Sequence, residues 1–233
     1  MAEMKPERVL VFTPHPDDAE FGVAGTVVRW ISEGVDVVYA VCTNGDKGSG
    51  DPDMTSQKLV AIREAEQHAA AKLLGVSEVV FMRYPDQELE NTPQFRKDLA
   101  RLIRKFRPDI VVTSNPYHKY IWHRDHRICG RAVLDAVFPV ARDRLAYPDL
   151  LEEGLQPHKV KEVWLWGSED ANHCSDITDS FDKKVAALCC HVSQVGDMPH
   201  DDLEKRMKER YREFAKDEDY DLGEAFYRIE ILR

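Results

Sequence analysis

The stretch that decides the fold runs from Arg8 to Asp18 and reads Arg8-Val9-Leu10-Val11-Phe12-Thr13-Pro14-His15-Pro16-Asp17-Asp18. Its first half is short, apolar and rich in β-branched residues, which is typical of a strand buried on both faces in a parallel sheet. Its second half is a turn that carries one imidazole and two carboxylates. Polar side chains directly after a buried strand indicate a site at the carboxyl end of that strand.

Strand-like and helix-like segments alternate after this stretch. The predicted strands are 8–13, 35–42, 78–82 and 109–113, and the predicted helices are 20–33, 55–74, 93–106 and 123–137. Thr55 or Ser56 is a suitable cap for the second helix, and Gly75 ends it. This order predicts an α/β fold with a Rossmann-like, mostly parallel sheet and helices on both faces.

The alternation is looser in the C-terminal part of the chain. A strand is predicted at 161–166, helices at 179–190 and 201–216, and a last strand at 225–232. No linker composition separates this part from the rest. We therefore predict one domain over 1–233, with a Rossmann-like core at 1–140 and a smaller α/β extension at 141–233.

A second polar motif, His123-Arg124-Asp125-His126, follows the strand predicted at 109–113. In an open sheet of order 3-2-1-4-5, the ligand crevice lies where the order reverses, between strands 1 and 4. The first motif follows strand 1 and the second follows strand 4. The topology therefore predicts that the two motifs face each other across the crevice.

The combined motifs contain the parts of a hydrolytic metal site. Catalytic zinc usually takes three N or O ligands and leaves one position open. His15 and Asp18 can converge on one ion, and either His123 or His126 completes the set, which leaves the other imidazole and Asp17 free for proton transfer. Each motif alone is also a common helix start. Only their predicted proximity favours a site.

Two other functions fit part of this pattern. A set of two histidines and one carboxylate also occurs in non-haem Fe(II) oxygenases. A protein that only binds sugars could keep the same residues without catalysis. The free acid–base groups favour hydrolysis over both alternatives, because neither oxygen activation nor sugar binding needs them.

Composition excludes several classes of partner. The net charge of −10 argues against nucleic acid, since nucleic-acid binders usually present a basic face. No apolar run approaches the roughly 18 residues needed to span a bilayer, and 1–8 carries no apolar signal segment. The five cysteines show no C-x-x-C spacing and are expected to be reduced thiols of a cytoplasmic protein.

Two aromatic groups have less defined roles. The loop with Tyr117, His118, Tyr120 and Trp122 precedes the second motif, and we expect it to form a wall of the substrate site. Trp164 and Trp166 alternate on a strand and therefore share a face, which predicts core packing or a subunit interface. This strand is compatible with a homo-oligomer.

The motifs resemble those of the zinc-dependent N-acetylglucosaminyl deacetylases of the LmbE-like (PIG-L) family. The resemblance covers about 8–195 and rests on five segments: Pro14–Thr26, Thr43–Gly48, the helix with Arg63, Glu66, Ala70, Leu74 and Gly75, His123–His126, and His191–Gln194. The chain departs from the family pattern at Pro14, Ala19 and Ala24, where alanine, glutamate and glycine are usual. None of these departures removes a candidate ligand, but they weaken any transfer of substrate preference.

The resemblance implies a role for each polar residue of the two motifs. His15, Asp18 and His126 would hold the metal, and Asp17 would be the general base. His123, kept protonated by Asp125, would stabilise the oxyanion or protonate the leaving amine. The implied cofactor is Zn²⁺, with Fe²⁺ as the alternative from the same ligands.

The resemblance also implies a substrate. Arg63 would contact a sugar or an attached phosphate, and Asp86 would bind sugar hydroxyls. His191 is a further substrate-binding candidate, with a supporting role behind the site as its alternative. The implied enzyme is a zinc-dependent N-deacetylase, a hydrolase of linear amide bonds, that acts on an N-acetylglucosamine-type small molecule. Its alternative is an amidase for another N-acyl sugar conjugate.

Overall fold

A computed structural model describes residues 5–231, and its centre is one seven-stranded sheet. The strands are β1 Arg8–Thr13, β2 Asp36–Thr43, β3 Glu78–Tyr84, β4 Ile110–Ser114, β5 Glu162–Trp166, β6 His173–Asp176 and β7 Gly223–Glu230. Their order in the sheet is β3-β2-β1-β4-β5-β7-β6. The first five strands pair in parallel, and β7 pairs antiparallel with both β5 and β6. The predicted Rossmann-like, mostly parallel sheet is confirmed.

The helices that connect these strands begin and end close to the predicted positions. They are α1 Asp18–Gly22, α2 Ala24–Ser32, α3 Ser56–Leu74, α4 Pro93–Phe106, α5 Arg124–Val137, α6 Asp149–Glu152, α7 Phe181–Leu188, α8 Val192–Val195 and α9 His200–Phe214. Thr55 caps α3, because its hydroxyl accepts a hydrogen bond from the Lys58 N–H at 3.3 Å. Gly75 ends α3 with a φ of 94°, a conformation that glycine adopts at little cost.

β1 lies in the middle of the core, and its side chains alternate between the two faces of the sheet. Leu10 and Phe12 pack toward α4 and α5, whereas Val9 and Val11 pack toward α2 and α3. All four are fully buried. Helices therefore cover both faces of the sheet, which explains why this strand is apolar without interruption.

The C-terminal part joins the same sheet through β5, which pairs with β4, and adds an apolar cluster of its own. The cluster contains Ile177, Phe181, Val185, Leu188, Leu203, Met207, Tyr211 and Leu222. Trp164 and Trp166 are buried inside the sheet at 2% and 6% exposure, so core packing is confirmed for this strand. The expected homo-oligomer stays a prediction, and this strand gives it no exposed surface.

The helix predicted at 20–33 is in fact two helices, α1 and α2, which meet at Val23. The carboxylate of Glu224 accepts hydrogen bonds from the N–H groups of Gly25 and Thr26 and so caps the start of α2. This contact crosses about 200 positions of sequence and leaves no local signal. The analysis of periodicity also missed β6, α6 and α8, which are all four residues long. Leu232, the end of the predicted last strand, lies outside the described residues.

Within 5–231, no helix combines the length and the apolar character needed to cross a membrane. All five cysteines are free thiols, and Cys42 and Cys129 are fully buried. The predicted reduced state agrees with this structure.

Candidate metal centre and active site

The two polar motifs meet at the carboxyl ends of β1 and β4, which are neighbours in the sheet. His15, Asp17 and Asp18 follow β1 directly, and His123 caps the start of α5 after the loop that leaves β4. The two motifs lie close together because β1 and β4 are neighbouring strands, as the sequence predicted. The result is a cluster of imidazoles and carboxylates at the point where the sheet order reverses.

Asp18 joins the two motifs because each of its carboxylate oxygens lies beside one imidazole. Oδ2 is 3.1 Å from Nδ1 of His15, and Oδ1 is 3.1 Å from Nε2 of His126. All three residues are at most 9% exposed. Burial by itself would raise the pKa of Asp18, but the neighbouring imidazoles outweigh this effect and hold it well below its usual range. The carboxylate is therefore ionised throughout the neutral range.

Two further carboxylates lie on the other edge of the His15 ring. Its Nε2 is 3.2 Å from Oδ1 of Asp86 and 3.5 Å from Oδ2 of Asp125. Burial disfavours the charged imidazole, yet the surrounding carboxylates of Asp125, Asp18 and Asp86 raise the pKa of His15 to about 12. Without a cation, a proton on this ring compensates the surrounding negative charge. A divalent cation would replace that proton.

The donor atoms fit a divalent cation. Among the described residues, two sets of three donor atoms have all their members within 4.8 Å of one another: one from His15, His123 and His126, the other from His15, Asp86 and Asp125. Nε2 of His15, Nδ1 of His126 and Oδ1 of Asp86 are buried without a hydrogen-bond partner. Such unpaired polar atoms are costly unless a ligand occupies the site. Nitrogen and oxygen donors without thiolate match the ligands of catalytic zinc and of Fe(II).

The structure enlarges the predicted ligand set. His15, Asp18 and His126 lie together, and the sequence-based assignment of the ligands stays a prediction. Asp86 and Asp125 also face His15, although sequence analysis gave Asp86 to the sugar and Asp125 to His123. The available signal was the acidic character of these two residues. Asp86 lies in a loop and Asp125 at the start of a helix, both at the same edge of the sheet as His15.

Asp17 lies in a strained backbone conformation at the mouth of the centre. Its φ is 94°, which is uncommon for a residue other than glycine. Its N–H donates to Oε1 of Gln67 at 3.0 Å, and Nη2 of Arg63 lies 3.3 Å from its Oδ2. Burial and the neighbouring Asp18 raise the pKa of Asp17 to about 7. A carboxylate with this pKa is suited to take a proton near neutral pH.

A buried chain of hydrogen bonds continues from Asp17 into the protein. Nε2 of Gln67 donates to Oε1 of Glu20 at 3.0 Å, and Oε2 of Glu20 lies 3.2 Å from Nε2 of His191. Glu20, Gln67 and His191 are fully buried. Burial opposes the charged imidazole, but Glu20 outweighs it, and the pKa of His191 is raised.

This chain of hydrogen bonds changes the interpretation of His191. The residue is fully buried behind Asp17 and lines neither of the two cavities next to the centre, a position that favours the supporting role over substrate binding. Sequence analysis missed Glu20 and Gln67. Gln67 lies one turn from Arg63 on the buried face of α3, where an apolar residue is usual. A polar residue at such a position was the available signal.

That Asp125 keeps His123 protonated stays a prediction, and the surroundings of His123 do not favour it. The carboxylate of Asp125 accepts the N–H of Gln87 at 2.6 Å and faces His15, while the backbone N–H of Asp125 donates to Nδ1 of His123 at 3.2 Å. Burial and the neighbouring imidazoles lower the pKa of His123. The lowered pKa favours the neutral form of the exposed ring, and a neutral ring that accepts at Nδ1 carries its proton on Nε2.

Arg63 is a buried brace as well as a candidate substrate contact. Its guanidinium donates to the carbonyl oxygens of Pro16 at 2.8 Å, Gly45 at 3.2 Å and Lys47 at 3.3 Å. It lines a polar cavity of about 220 Å³ together with His15, Asp17, Lys47, Gly48, Asp86, Gln87, His123 and Gln194. This polar cavity contains both free acid–base groups.

A larger aromatic cavity of about 580 Å³ begins at Asp18 and His126. Its walls include Phe21, Trp122, Trp166 and Phe214. His118 stacks on Trp122 with ring centroids 5.0 Å apart, and Trp122 meets His126 edge-to-face at 4.9 Å. The loop before α5 thus contributes a wall beside the centre, whereas its Tyr120 is 82% exposed.

The family described as PIG-L, GlcNAc-PI de-N-acetylase, matches residues 10–137 of the sequence. This match covers more than half of the chain and contains both polar motifs. The chain belongs to the PIG-L family. The segment with His191, α7 and α9 lies outside the matched range.

Relatives and solved structures extend this PIG-L assignment over most of the chain. Diacetylchitobiose deacetylase of Thermococcus kodakarensis is 34% identical over 81% of this chain and 70% of its own length. A probable N-acetyl-alpha-D-glucosaminyl L-malate deacetylase 2 of Bacillus anthracis is 30% identical over 82% of this chain and 83% of its own. The structure of N,N'-diacetylchitobiose deacetylase from Pyrococcus horikoshii superposes with a TM-score of 0.91 and 30% identity, and covers 97% of this chain and 84% of that one.

Proposed function

We propose that this protein is a zinc-dependent deacetylase that hydrolyses the N-acetyl group of an N-acetylglucosamine-type sugar. One observation carries the proposal: Asp17, with a pKa of about 7, and the neutral His123 both line the polar cavity beside the His15–Asp18–His126 cluster. The named activities of the relatives, which include diacetylchitobiose deacetylase, support it. Fe(II) is the alternative cation.

His15, Asp18 and His126 would hold the cation. Their partners support this assignment, because the two oxygens of Asp18 already connect both imidazoles. When bound, the cation supplies Lewis acidity, which polarises the acyl carbonyl and makes water more acidic. Asp86 and Asp125 add negative charge around His15 and favour a dication over a proton.

Asp17 would act as the general base. It takes a proton from the attacking water as the water oxygen forms a bond to the carbonyl carbon. Arg63 lies 3.3 Å from one of its oxygens, and Gln67 holds its backbone, so the other oxygen stays free to face the substrate. When the C–N bond breaks, protonated Asp17 can return this proton to the leaving nitrogen, which departs as the free amine with acetate.

His123 would stabilise the oxyanion. The N–H of Asp125 occupies Nδ1, which leaves Nε2–H to donate a hydrogen bond to the carbonyl oxygen as negative charge develops there. A neutral imidazole is a poor acid for the leaving amine. The lowered pKa of His123 therefore favours the oxyanion role over leaving-group protonation, the two roles that the sequence left open.

The polar cavity would bind the sugar. Arg63, Asp86, Lys47 and Gln194 offer both donors and acceptors, as a polyhydroxylated ring requires. A protein that only binds sugars would need neither Asp17 nor His123 at this place. Two substrates fit this cavity: an N-acetylglucosamine-type sugar and another N-acyl sugar conjugate. They differ in the group attached to the sugar.

Acetate release tests this proposal. Purified protein is incubated with N-acetylglucosamine and with N,N'-diacetylchitobiose, with and without a chelator. We expect acetate and free amine from at least one substrate, loss of turnover after chelation, and recovery with Zn²⁺. No release from either sugar would contradict the substrate class, and release that survives complete removal of metal would contradict the metal-dependent mechanism.

A further inference from the structure

We propose that the aromatic cavity beside Asp18 and His126 binds the acyl chain of the substrate, and that the enzyme hydrolyses N-acyl sugars with chains longer than acetyl. This inference rests on the proposed amide hydrolysis. It concerns a different cavity from the one assigned to the sugar. An acetyl group has only two carbon atoms, whereas the cavity measures about 580 Å³, within the range of pockets that enclose whole ligands.

The positions of the two cavities indicate which one receives the acyl chain. The polar cavity touches His15, Asp17 and His123, and the aromatic cavity touches Asp18 and His126. They share no lining residue, so the centre lies between them. A secondary amide is planar and trans, which places the sugar carbon and the acyl carbon on opposite sides of the C–N bond. With the sugar in the polar cavity, the acyl chain points to the aromatic one.

Aromatic side chains form a closely packed apolar part of the wall of this cavity, and polar or charged residues line the rest. Trp166 packs against the backbone of Gly22, where a Cβ atom would lie 2.7 Å from the indole. Trp122 packs in the same way against Gly167, which has a φ of 72°. Trp166 also meets His126 edge-to-face at 5.3 Å. Two glycines thus allow two indoles to form a wall that leads away from the centre.

The polarity of the cavity changes from its inner end to its rim. Asp18, His126 and Trp166 at the inner end are buried, while Glu169, Arg210 and Glu213 are exposed lining residues. An unbranched chain can therefore bury its first methylenes against indoles and extend its tip toward solvent. Each methylene buried against such a wall improves binding by about fourfold.

A series of N-acyl-glucosamines tests the inference: acetyl, butanoyl, hexanoyl and octanoyl, with release of free amine as the measured quantity. We expect kcat/KM to rise with chain length and to exceed the acetyl value by at least tenfold for hexanoyl. A fall of more than tenfold from acetyl to butanoyl, in a preparation that cleaves acetyl, would overturn the acyl assignment. Failure to cleave any member, acetyl included, would instead overturn the proposed hydrolysis.

A variant that fills the cavity provides the second arm. Ala225 on β7 lines the aromatic cavity, so Ala225→Phe reduces its volume, and Ala225→Ser is the matched control. We expect Ala225→Phe to lower the octanoyl-to-acetyl ratio of kcat/KM at least tenfold and Ala225→Ser to preserve it. Urea unfolding shows whether Ala225→Phe is folded as stably as the wild type. If it is, and its octanoyl-to-acetyl ratio of kcat/KM is unchanged, the assignment of the acyl chain to this cavity is overturned. If Ala225→Phe lowered kcat/KM only for diacetylchitobiose, the second sugar of that substrate would occupy this cavity, and the acyl assignment would also be overturned.

Discussion

Replacing Lys184 by methionine probes how the C-terminal part of the chain supports the centre. The Lys184 side chain is fully buried, and its ammonium donates to the carbonyl oxygens of Glu20 at 2.8 Å and Phe21 at 2.9 Å and to Oε1 of Glu224 at 2.7 Å. The first two acceptors belong to α1, the helix that begins at Asp18. One ammonium therefore ties α7 and β7 to the metal motif.

The structure sets the expected magnitude. Methionine nearly preserves the volume, so the main loss is the charge that neutralises Glu224. Removal of one partner of a buried pair typically costs about 3–5 kcal/mol, because the other charge stays buried without compensation. Glu224 keeps its bonds from Gly25 and Thr26, which places the estimate at the lower end, about 3 kcal/mol. With a urea dependence of about 2 kcal/mol per M, the unfolding midpoint should fall by about 1.5 M.

Urea unfolding followed by the fluorescence of the four tryptophans measures this change. Lys205→Met is the matched control, since this lysine of α9 is exposed and its loss should shift the midpoint by less than about 0.3 M. Lys184→Met combined with Glu224→Gln should recover part of the stability. A shift below about 0.5 M for Lys184→Met, with an unchanged urea dependence, would refute the assigned role of this pair.

Three further predictions concern the centre. Asp17→Asn should lower kcat by roughly 10²–10⁴-fold while the bound metal, measured by elemental analysis, stays at the wild-type level. His123→Ala should lower kcat by about 10²–10³-fold with little change in KM in steady-state assays, and His123→Gln should recover part of it, because its amide can donate the same hydrogen bond. The stability difference between wild type and His191→Gln should be largest below pH 6.5 and shrink at higher pH, measured by urea midpoints. The reason is that Glu20, with Asp17 and Glu66, raises the folded-state pKa of His191, so its stabilisation is fully present below the unfolded value and is lost as pH rises through the folded one.

Each of these predictions has a control and a result that contradicts it. Asp53→Asn changes an exposed aspartate in the same chemical way and should leave kcat unaltered; full activity of Asp17→Asn with normal metal would exclude it as the base. Equal losses in both His123 variants would argue against a donated hydrogen bond. A His191→Gln stability difference that grows with pH would reverse the sign of the argument.

The sheet and the meeting of the two motifs were predictable because local signals determine both. Strand β1 is apolar at every position between Arg8 and Thr13, and Thr55 and Gly75 mark the two ends of α3 in the sequence. Once the strands and connecting helices are known, the handedness and order of a parallel sheet leave few arrangements. The proximity of the residues after β1 and β4 follows from that order alone.

The partners of individual side chains were harder to predict. Asp125 lies only two residues from His123 in the sequence, yet its carboxylate turns to His15 and to the N–H of Gln87. His191 matches a family motif but is buried against Glu20, far along the chain. In each case a polar group found its partner through packing between distant segments, which no periodicity records.

The sequence by itself predicted a parallel sheet in which β1 and β4 are neighbours, a site at the carboxyl ends of these two strands, and the residue types that can bind a cation. Only the tertiary structure decided that the pKa of His123 is lowered, that Asp17 is supported by Gln67, and that a second, aromatic cavity adjoins the centre. The physical reason is the sequence distance over which the relevant interactions act. Secondary structure follows from the preferences of neighbouring residues, whereas the charge of a buried group depends on every dipole and ion packed around it, from whichever part of the chain they come.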